Sequence, residues 1–350
     1  MTSDEFFSLT EKHRAILDSL RYESGLYAAS SKEVTTGYDK AWLRDNFYVS
    51  LALGAINEKE KLEKLYDAIL EIFLKHERKI DYAIATKPNF SYEYIHPRYH
   101  PQTFDEFWES WGNKQHDAIG ALLFAIGVFT QRGYTILAND AQRRIIQKLI
   151  QYLASIEYWH DADSGIWEEA EEIHSSSLGA CLAGLKKIKE IGFDVSDEIL
   201  KKGEDMLYYE LLPRESHEKF SDLALLTLIY PYNILGPTQA HQVLDTIEYH
   251  LVKSKGVIRY KGDHYYNKNW DKRSEEAEWT FGFSFLALSY LTLGDKERAH
   301  FYLQKAIQTI NEKGEVPELY LSGTAQYNEN SPLAWSEAML ILAIQNVSSL

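Results

Sequence analysis

Residues 116–159 read HDAIGALLFAIGVFTQRGYTILANDAQRRIIQKLIQYLASIEYW. Apolar side chains recur three and four apart on both sides of a short connection, Arg132–Ile136. That pattern predicts helices over 116–132 and 138–159, joined as an antiparallel hairpin. The same spacing continues outward in both directions. It predicts further helices at 4–22, 41–56, 59–79, 175–191, 196–211, 219–230, 238–252, 275–292, 295–312 and 332–347. Only GVIRYKGDHYY, at 256–266, reads as a two-stranded ribbon.

The connections alternate in length. Even-numbered helices pass to odd ones through short turns at Asn57–Glu58, Arg132–Ile136, Ile191–Val195, Tyr230–Pro237 and Leu293–Asp295. Odd-numbered helices pass to even ones through long segments such as KPNFSYEYIHPRYHPQTFDEFWESWGNKQ (87–115) and KGEVPELYLSGTAQYNENSP (313–332). In a chain of antiparallel hairpins the long segments all emerge at one end. Seven of the eight tryptophans, all but Trp159, lie in or beside them. Six hairpins can close into a ring or stack as an open solenoid. Solenoids carry a repeated consensus, and none is present, so the expectation is a closed, all-α (α/α)6 barrel.

Composition narrows the function. The 350 residues suggest two domains by length, but no linker or shift in composition divides them, so one domain over 1–350 is expected. Net charge is −15, with pI ≈ 5.3, which argues against a nucleic-acid surface built on clustered Lys and Arg. No apolar run approaches about 18 residues, so no membrane span is expected. The N-terminus, MTSDEFFSLTEKHR, lacks the basic and apolar regions of a secretory signal, and a cytoplasmic protein is expected. Cys181 is the only cysteine, which excludes a disulfide framework and a thiolate zinc site. No metal or cofactor is expected, and nothing speaks to oligomeric state. The 8 Trp and 24 Tyr are the conspicuous feature.

Five constellations in the long segments could carry chemistry. YDKAWLRDNFY offers Trp42, Arg44 and Asp45, a planar donor fork beside an acceptor that suits sugar hydroxyls; Asp45 capping a helix and pairing with Arg44 is the plainer reading. FWESWGNKQHDAIG offers Trp108, Trp111, Gln115 and Asp117, rings that stack on a pyranose with polar groups beside them, or simply a plug over the barrel end. GIWEEAEEIHSSSLGA sets Trp167, Glu168 and Glu169 before Glu171, Glu172 and His174. Clustered carboxylates repel, so at least one should have a raised pKa and suit a general acid; equally, an acidic run favours a helix N-terminus. Asp161 and Asp163 fail the spacing of a calcium loop. IRYKGDHYY and EEAEW contribute Arg259, Asp263, Tyr265, Glu278 and Trp279; GEVPELY and SPLAWSEA contribute Glu315, Glu318 and Trp335. Glu168 and Glu318 belong to the third and sixth hairpins, so a ring of six sets them opposite each other. Two opposed carboxylates flanking an aromatic cleft is the layout of glycoside hydrolysis, and a wide separation gives inversion.

In this order, WLRDNFY (42–48), WGNKQHDAIG (111–120), WEE (167–169), GVIRY with the following YY, PELY (317–320) and PLAWSEA (332–338) resemble glycoside hydrolase family 15, the glucoamylases and related α-glucosidases. The resemblance spans about residues 38 to 340. It implies an (α/α)6 barrel and inverting release of terminal α-linked glucose from short α-glucans, without a catalytic metal. It makes Glu168 the general acid, Glu318 the general base and Glu169 a substrate ligand. Arg44 and Asp45 would clamp the terminal glucose, with Arg259 assisting and Trp111 stacking nearby. The segment 80–110, with Tyr92, Tyr94, Arg98 and Trp108, would shape the site for the departing sugar. Two features depart from the prokaryotic members: there is no room for their N-terminal β-sandwich, and PELY stands where many have PEQ. The same blocks are also similar to the phosphorylase kinase regulatory subunits, which implies the alternative of a non-catalytic glucan-binding module. Retention of Glu168, Glu169, Arg44, Asp45 and Glu318 favours the enzyme.

Overall fold

The computed structural model describes residues 2–109, 111–267 and 275–348. In chain order the elements are α1 (Ser3–Leu20), β1 (Ala41–Trp42), α2 (Leu43–Ala55), α3 (Lys59–Lys75), α4 (Glu77–Ala85), β2 (Arg98–Tyr99), α5 (His116–Gln131), α6 (Asp140–Ile156), α7 (Ser175–Glu190), α8 (Asp197–Asp205), α9 (Pro237–His250), β3 (Glu278–Trp279), α10 (Phe281–Thr292), α11 (Lys296–Ile307), β4 (Leu319–Tyr320) and α12 (Ala334–Val347). A 3-10 helix at Leu223–Leu228 completes the ring described below.

Two classes of helix alternate. α2, α5, α7, the 3-10 helix, α10 and α12 are buried on nearly every side; in α10, each residue from Phe281 to Tyr290 is buried. A helix apolar all round must lie inside other helices. These six pack side by side in that order, and α12 returns to α2, so the ring closes. Between them in sequence come α1, α3, α6, α8, α9 and α11, each with a single buried stripe. In α6 that stripe is Ile145, Ile146, Leu149, Ile150, Leu153 and Ile156. The result is the (α/α)6 barrel, with one core.

Some inner helices approach closely enough to require glycine. A Cβ on Gly120 of α5 would stand 2.3 Å from the Cys181 amide nitrogen of α7, and one on Gly184 would stand 2.3 Å from the Gly120 carbonyl oxygen. On the other side, α1 is tied to α12 by a fully buried contact, His13 Nδ1 to Glu337 Oε2 at 2.5 Å. The second oxygen of Glu337 accepts the Val316 amide at 2.7 Å, just before Glu318.

The structure revises several predicted elements. The expected helix 219–230 is only the 3-10 helix, and 275–292 is helical from Phe281 onward because Glu278–Trp279 is drawn into a strand. The span 59–79 divides into α3 and α4, and 196–211 is α8 continued by a π-helical turn at Met206–Leu211. No ribbon forms within 256–266. Val257 instead bridges Trp279, and β3 pairs with β4 (Glu278 with Tyr320, Trp279 with Leu319). A local hairpin was out-competed by a long-range partner. A second short pair, β1 with β2, sets Trp42 opposite Arg98. Among the described residues, no helix is long and apolar enough to cross a membrane.

Replacing Gly120 by alanine should force α5 and α7 apart and lower stability by on the order of 3 kcal/mol. Denaturant unfolding measures this; an unchanged midpoint would contradict the close approach.

Candidate active site

A cavity of ≈ 630 Å³ opens at the end of the barrel where the long segments gather. Its wall and floor are aromatic. Trp335 stacks on Phe281 (4.3 Å between centroids, 16°), Trp167 lies nearly parallel to Phe281 (9°), and Trp279 leans on both Trp167 and Tyr265. Trp42 and Trp111 meet edge to face at 6.1 Å. Trp42, Trp167, Trp279 and Trp335 are buried members of the hydrophobic core as well as cavity walls. These rings are thus core filler and cavity lining at once.

Glu168 enters from the segment before α7. Its backbone is left-handed, with φ 62°, a conformation that a non-glycine residue holds only when its surroundings impose it. Those surroundings are visible. The Ser164 amide donates to the Lys114 carbonyl, the Glu169 amide to the Ser164 carbonyl, and Asp163 and Glu172 exchange backbone hydrogen bonds. Trp167, just before it, donates its indole N–H to the buried Asp222 at 2.8 Å. The Glu168 side chain remains 22% exposed, toward the cavity. Trp42 Nε1 donates to its Oε1 at 2.9 Å, and Arg44 Nη1 reaches the same oxygen at 3.5 Å. Withdrawal from water outweighs both and pushes its pKa up to about 7. Burial, and not repulsion within the acidic run, is therefore the cause. Glu169 goes the other way. Burial opposes ionisation, but Arg259, Lys219 and Tyr260 all donate to it and hold its pKa below the ordinary value.

Glu318 enters from the segment before α12, the ring position opposite α7. The β3–β4 pair, the Thr280 amide on its carbonyl and its own amide on the Asn330 carbonyl fix its backbone. Its carboxylate accepts from Tyr38 (3.0 Å), Tyr265 (3.4 Å), Asn330 (2.8 Å) and Asn328. Burial still raises its pKa, against the pull of those donors.

The pair Arg44–Asp45 does not form. Arg44 instead grips Asp117 with two bonds, 2.6 and 3.0 Å, and Gln115 at 2.7 Å. Asp117 and Gln115 are therefore buried supports for the guanidinium and do not line the cavity. Asp45 neither caps α2 nor pairs with a described residue, and its carboxylate lines the cavity. Burial, with Glu168 and Glu318 nearby, pushes it up to about 7 despite Arg44. Arg259 is held by Asp263 (2.7 Å from Nε) and reaches Glu169 at 2.9 Å. Trp108 is 98% exposed and lies outside this cavity. Trp270 lies outside the described residues. Glu278 and Glu315 serve loops: Glu278 accepts the Lys255 and Gly323 amides, and Glu315 accepts from Ser331. Asp161 pairs with His116 and Lys114, and Asp163 accepts the His116 amide. No group of residues able to hold a metal ion occurs among the described residues.

Tyr38, Tyr260, Asn328 and Asn330 were not singled out from the sequence, nor was Lys219, which donates to Glu169 from the segment before the 3-10 helix. The first four lie within long segments already marked as bearing chemistry, and that membership was the only signal available.

The family model for glycosyl hydrolases family 15 matches residues 13–276. A probable phosphorylase b kinase regulatory subunit alpha of Caenorhabditis elegans is 26% identical over 339 residues, 80% of this chain and 27% of that protein. An uncharacterized glycosyl hydrolase of Methanocaldococcus jannaschii is 24% identical over 378 residues, 98% of this chain and 56% of that protein. The chain thus spans about a quarter and about half of the lengths of these two relatives. A solved glycosidase in complex with glucose superposes with a TM-score of 0.84 at 18% identity, covering 100% of both chains.

A carboxyl whose folded pKa lies above its unfolded value adds stability at low pH and loses it as pH rises through the folded pKa. Glu168→Gln should therefore raise the melting temperature over wild type, by more at pH 8 than at pH 5. Thermal unfolding at the two pH values tests this, and an equal gain at both would refute the buried, elevated carboxyl.

Proposed function

The chain belongs to glycosyl hydrolases family 15, and on that premise we propose that it is an inverting exo-α-glucosidase that releases glucose from short α-glucans. One observation carries the proposal. Two carboxyl groups from opposite positions of the ring line one aromatic cavity, and their surroundings suit them to different tasks.

Glu168, with a pKa near neutrality, holds a proton at the pH where it is needed. Trp42 and Arg44 both reach its Oε1, which leaves Oε2 to carry that proton. Glu318 accepts four side-chain hydrogen bonds, which stabilise its anion and fix its direction. In the proposed reaction Glu168 gives its proton to the glycosidic oxygen as the bond to C1 breaks. A water attacks C1 from the opposite face and passes its proton to Glu318. The configuration at C1 inverts, and proton exchange with solvent restores both carboxyls. Asp45 and the free edge of Arg44 would take hydroxyls of the terminal glucose. Glu169, held by Arg259, Lys219 and Tyr260, would take another, while Trp42 and Trp111 offer ring faces to the sugar. Arg259 and Tyr265 brace the floor beside Trp279.

A second reading has its own support in the kinase regulatory subunit relative. A glucan-binding module without turnover would bind maltose or maltotriose and release no glucose. The substrate panel separates the two: maltose, isomaltose, trehalose and maltotriose, with glucose release measured for wild type and Glu318→Gln. Hydrolysis predicts that Glu318→Gln loses about 10²–10⁴-fold in kcat. If both proteins are inactive on every sugar, the hydrolase proposal fails.

The pH profile is a separate expectation. Activity needs Glu168 protonated and Glu318 ionised, so kcat/KM should fall as pH rises through about 7. It should also fall on the acid side, around a value above the ordinary glutamate range. Proton NMR of the first product should show the β-anomer; initial release of the α-anomer would contradict inversion.

A further inference from the structure

Helix α12 carries a single charged residue, Glu337, among Trp335, Met339, Leu340 and Ile341. Its side chain is fully buried, as is that of His13 on α1, and neither lines the cavity. A buried acid–histidine pair adds no more stability, as a rule, than apolar side chains of similar volume, so its presence calls for another reason. Glu337 does not serve its own helix. Its Oε2 meets His13 Nδ1, and its Oε1 accepts the Val316 amide at 2.7 Å. Nε2 of His13 has no hydrogen-bond partner among the described residues, so the carboxyl is the ring's one polar contact there. A second tie, Gln345 to Thr10 at 3.0 Å, joins the same two helices.

The Val316 amide lies two residues before Glu318, with Pro317 between them. Proline fixes its own φ, so a displacement at Val316 passes stiffly to Glu318. The other backbone groups of the segment are held as well. The Val316 carbonyl accepts the Leu333 amide at 3.0 Å, and the Pro317 carbonyl accepts the Thr280 hydroxyl, which also meets Ser336 at 2.9 Å. The Glu318 amide donates to the Asn330 carbonyl, and the Glu318 carbonyl accepts the Thr280 amide. Glu337 is the only ionisable side chain among these partners, and through His13 it ties the segment to an outer helix.

Resting on the hydrolase reading above, we infer that Glu337, anchored by His13, is a positioning residue for Glu318: it holds the Val316 amide so that the Glu318 carboxylate stays aimed at the attacking water. Glu337 itself touches neither sugar nor water. The Glu318 carboxylate is directed by Tyr38, Tyr265, Asn328 and Asn330, with Arg259 adding a weaker pull on its charge. Releasing Val316 lets the carboxylate slip from those donors. Fewer donors disfavour the anion, so the pKa of Glu318 moves up, while Glu168 across the ring keeps its own. Among the described residues, the titratable groups facing Glu337 are His13 from α1 and Glu315 from the segment before Glu318.

Three variants test this. Glu337→Gln keeps an oxygen for the Val316 amide, Glu337→Leu removes it at similar volume, and His13→Ala leaves the carboxyl without its anchor. In Glu337→Leu, kcat should fall by on the order of tenfold to a hundredfold with KM within about twofold, because a misplaced catalytic group costs rate more than ground-state binding. The acid limb of its kcat/KM profile should move to higher pH while the alkaline limb stays. Glu337→Gln should keep kcat within about threefold of wild type, with both limbs in place. His13→Ala should shift the acid limb in the same direction by less, and it decides the question if Glu337→Leu does not fold. A purely structural role would lower the melting temperature and leave kcat per folded molecule and both limbs unchanged. That outcome overturns the inference, as does a Gln variant as impaired as the Leu variant, or a rise in KM in place of the fall in kcat. Failure of the hydrolase reading is distinguishable. Wild type would then release no glucose from any sugar, while amide hydrogen exchange over 316–318 still reads the hold: faster exchange in Glu337→Leu or His13→Ala than in Glu337→Gln supports it, and equal exchange overturns it.

Discussion

The return of α12 onto α2 is the contact on which the rest of the protein depends. Six inner helices carry apolar residues on almost every side, and no open arrangement buries them all. Closing the ring removes the last exposed flank, and it has a geometric consequence. Each inner helix begins at the same end, so the segments that precede them converge above a single axis. Glu168 before α7 and Glu318 before α12 come from opposite positions of that circle and arrive at one cavity. The β1–β2 and β3–β4 pairs are the pins of this rim, setting Trp42 beside Arg98 and holding Glu318 beside Trp279.

Electrostatics in the cavity follow from which carboxyls find a cation. Glu169 has Arg259 and Lys219 and stays ionised; Asp117 and Asp263 each hold an arginine in two bonds and so position it. Asp45 is buried and Glu168 half-buried, neither with a two-bond ion pair of that kind, and both rise to about 7. Glu318 lies between these cases: burial raises its pKa, opposed mainly by neutral donors and more weakly by Arg259. One cavity therefore contains carboxyls in three different electrostatic settings. Burial and partners, not residue type, make the distinction.

Helix periodicity and loop alternation carried the architecture, because both are local properties that the closed ring preserves. They failed where a long-range partner prevailed. Val257 left its expected ribbon to pair with Trp279, and Glu278–Trp279 left the expected helix for β4. The apolar run around Leu223–Leu228 is helical in period but short, and it forms a 3-10 helix. Among site residues, the motif glutamates and tryptophans were legible as clusters of chemistry. Arg44 was read with its sequence neighbour Asp45, when its partner is Asp117, 73 positions away.

By itself, the sequence determined the helical hairpins, the end at which they gather their special residues, and the identity of Glu168, Glu169 and Glu318 as the carboxyls to consider. These depend on period, spacing and residue type. Tertiary structure alone decided which carboxyls have pKa values raised toward neutrality, which arginine is held by which acid, and that Trp108 stands outside the first cavity. Each of those depends on distance to partners and on access of water. Neither quantity exists until the ring has closed.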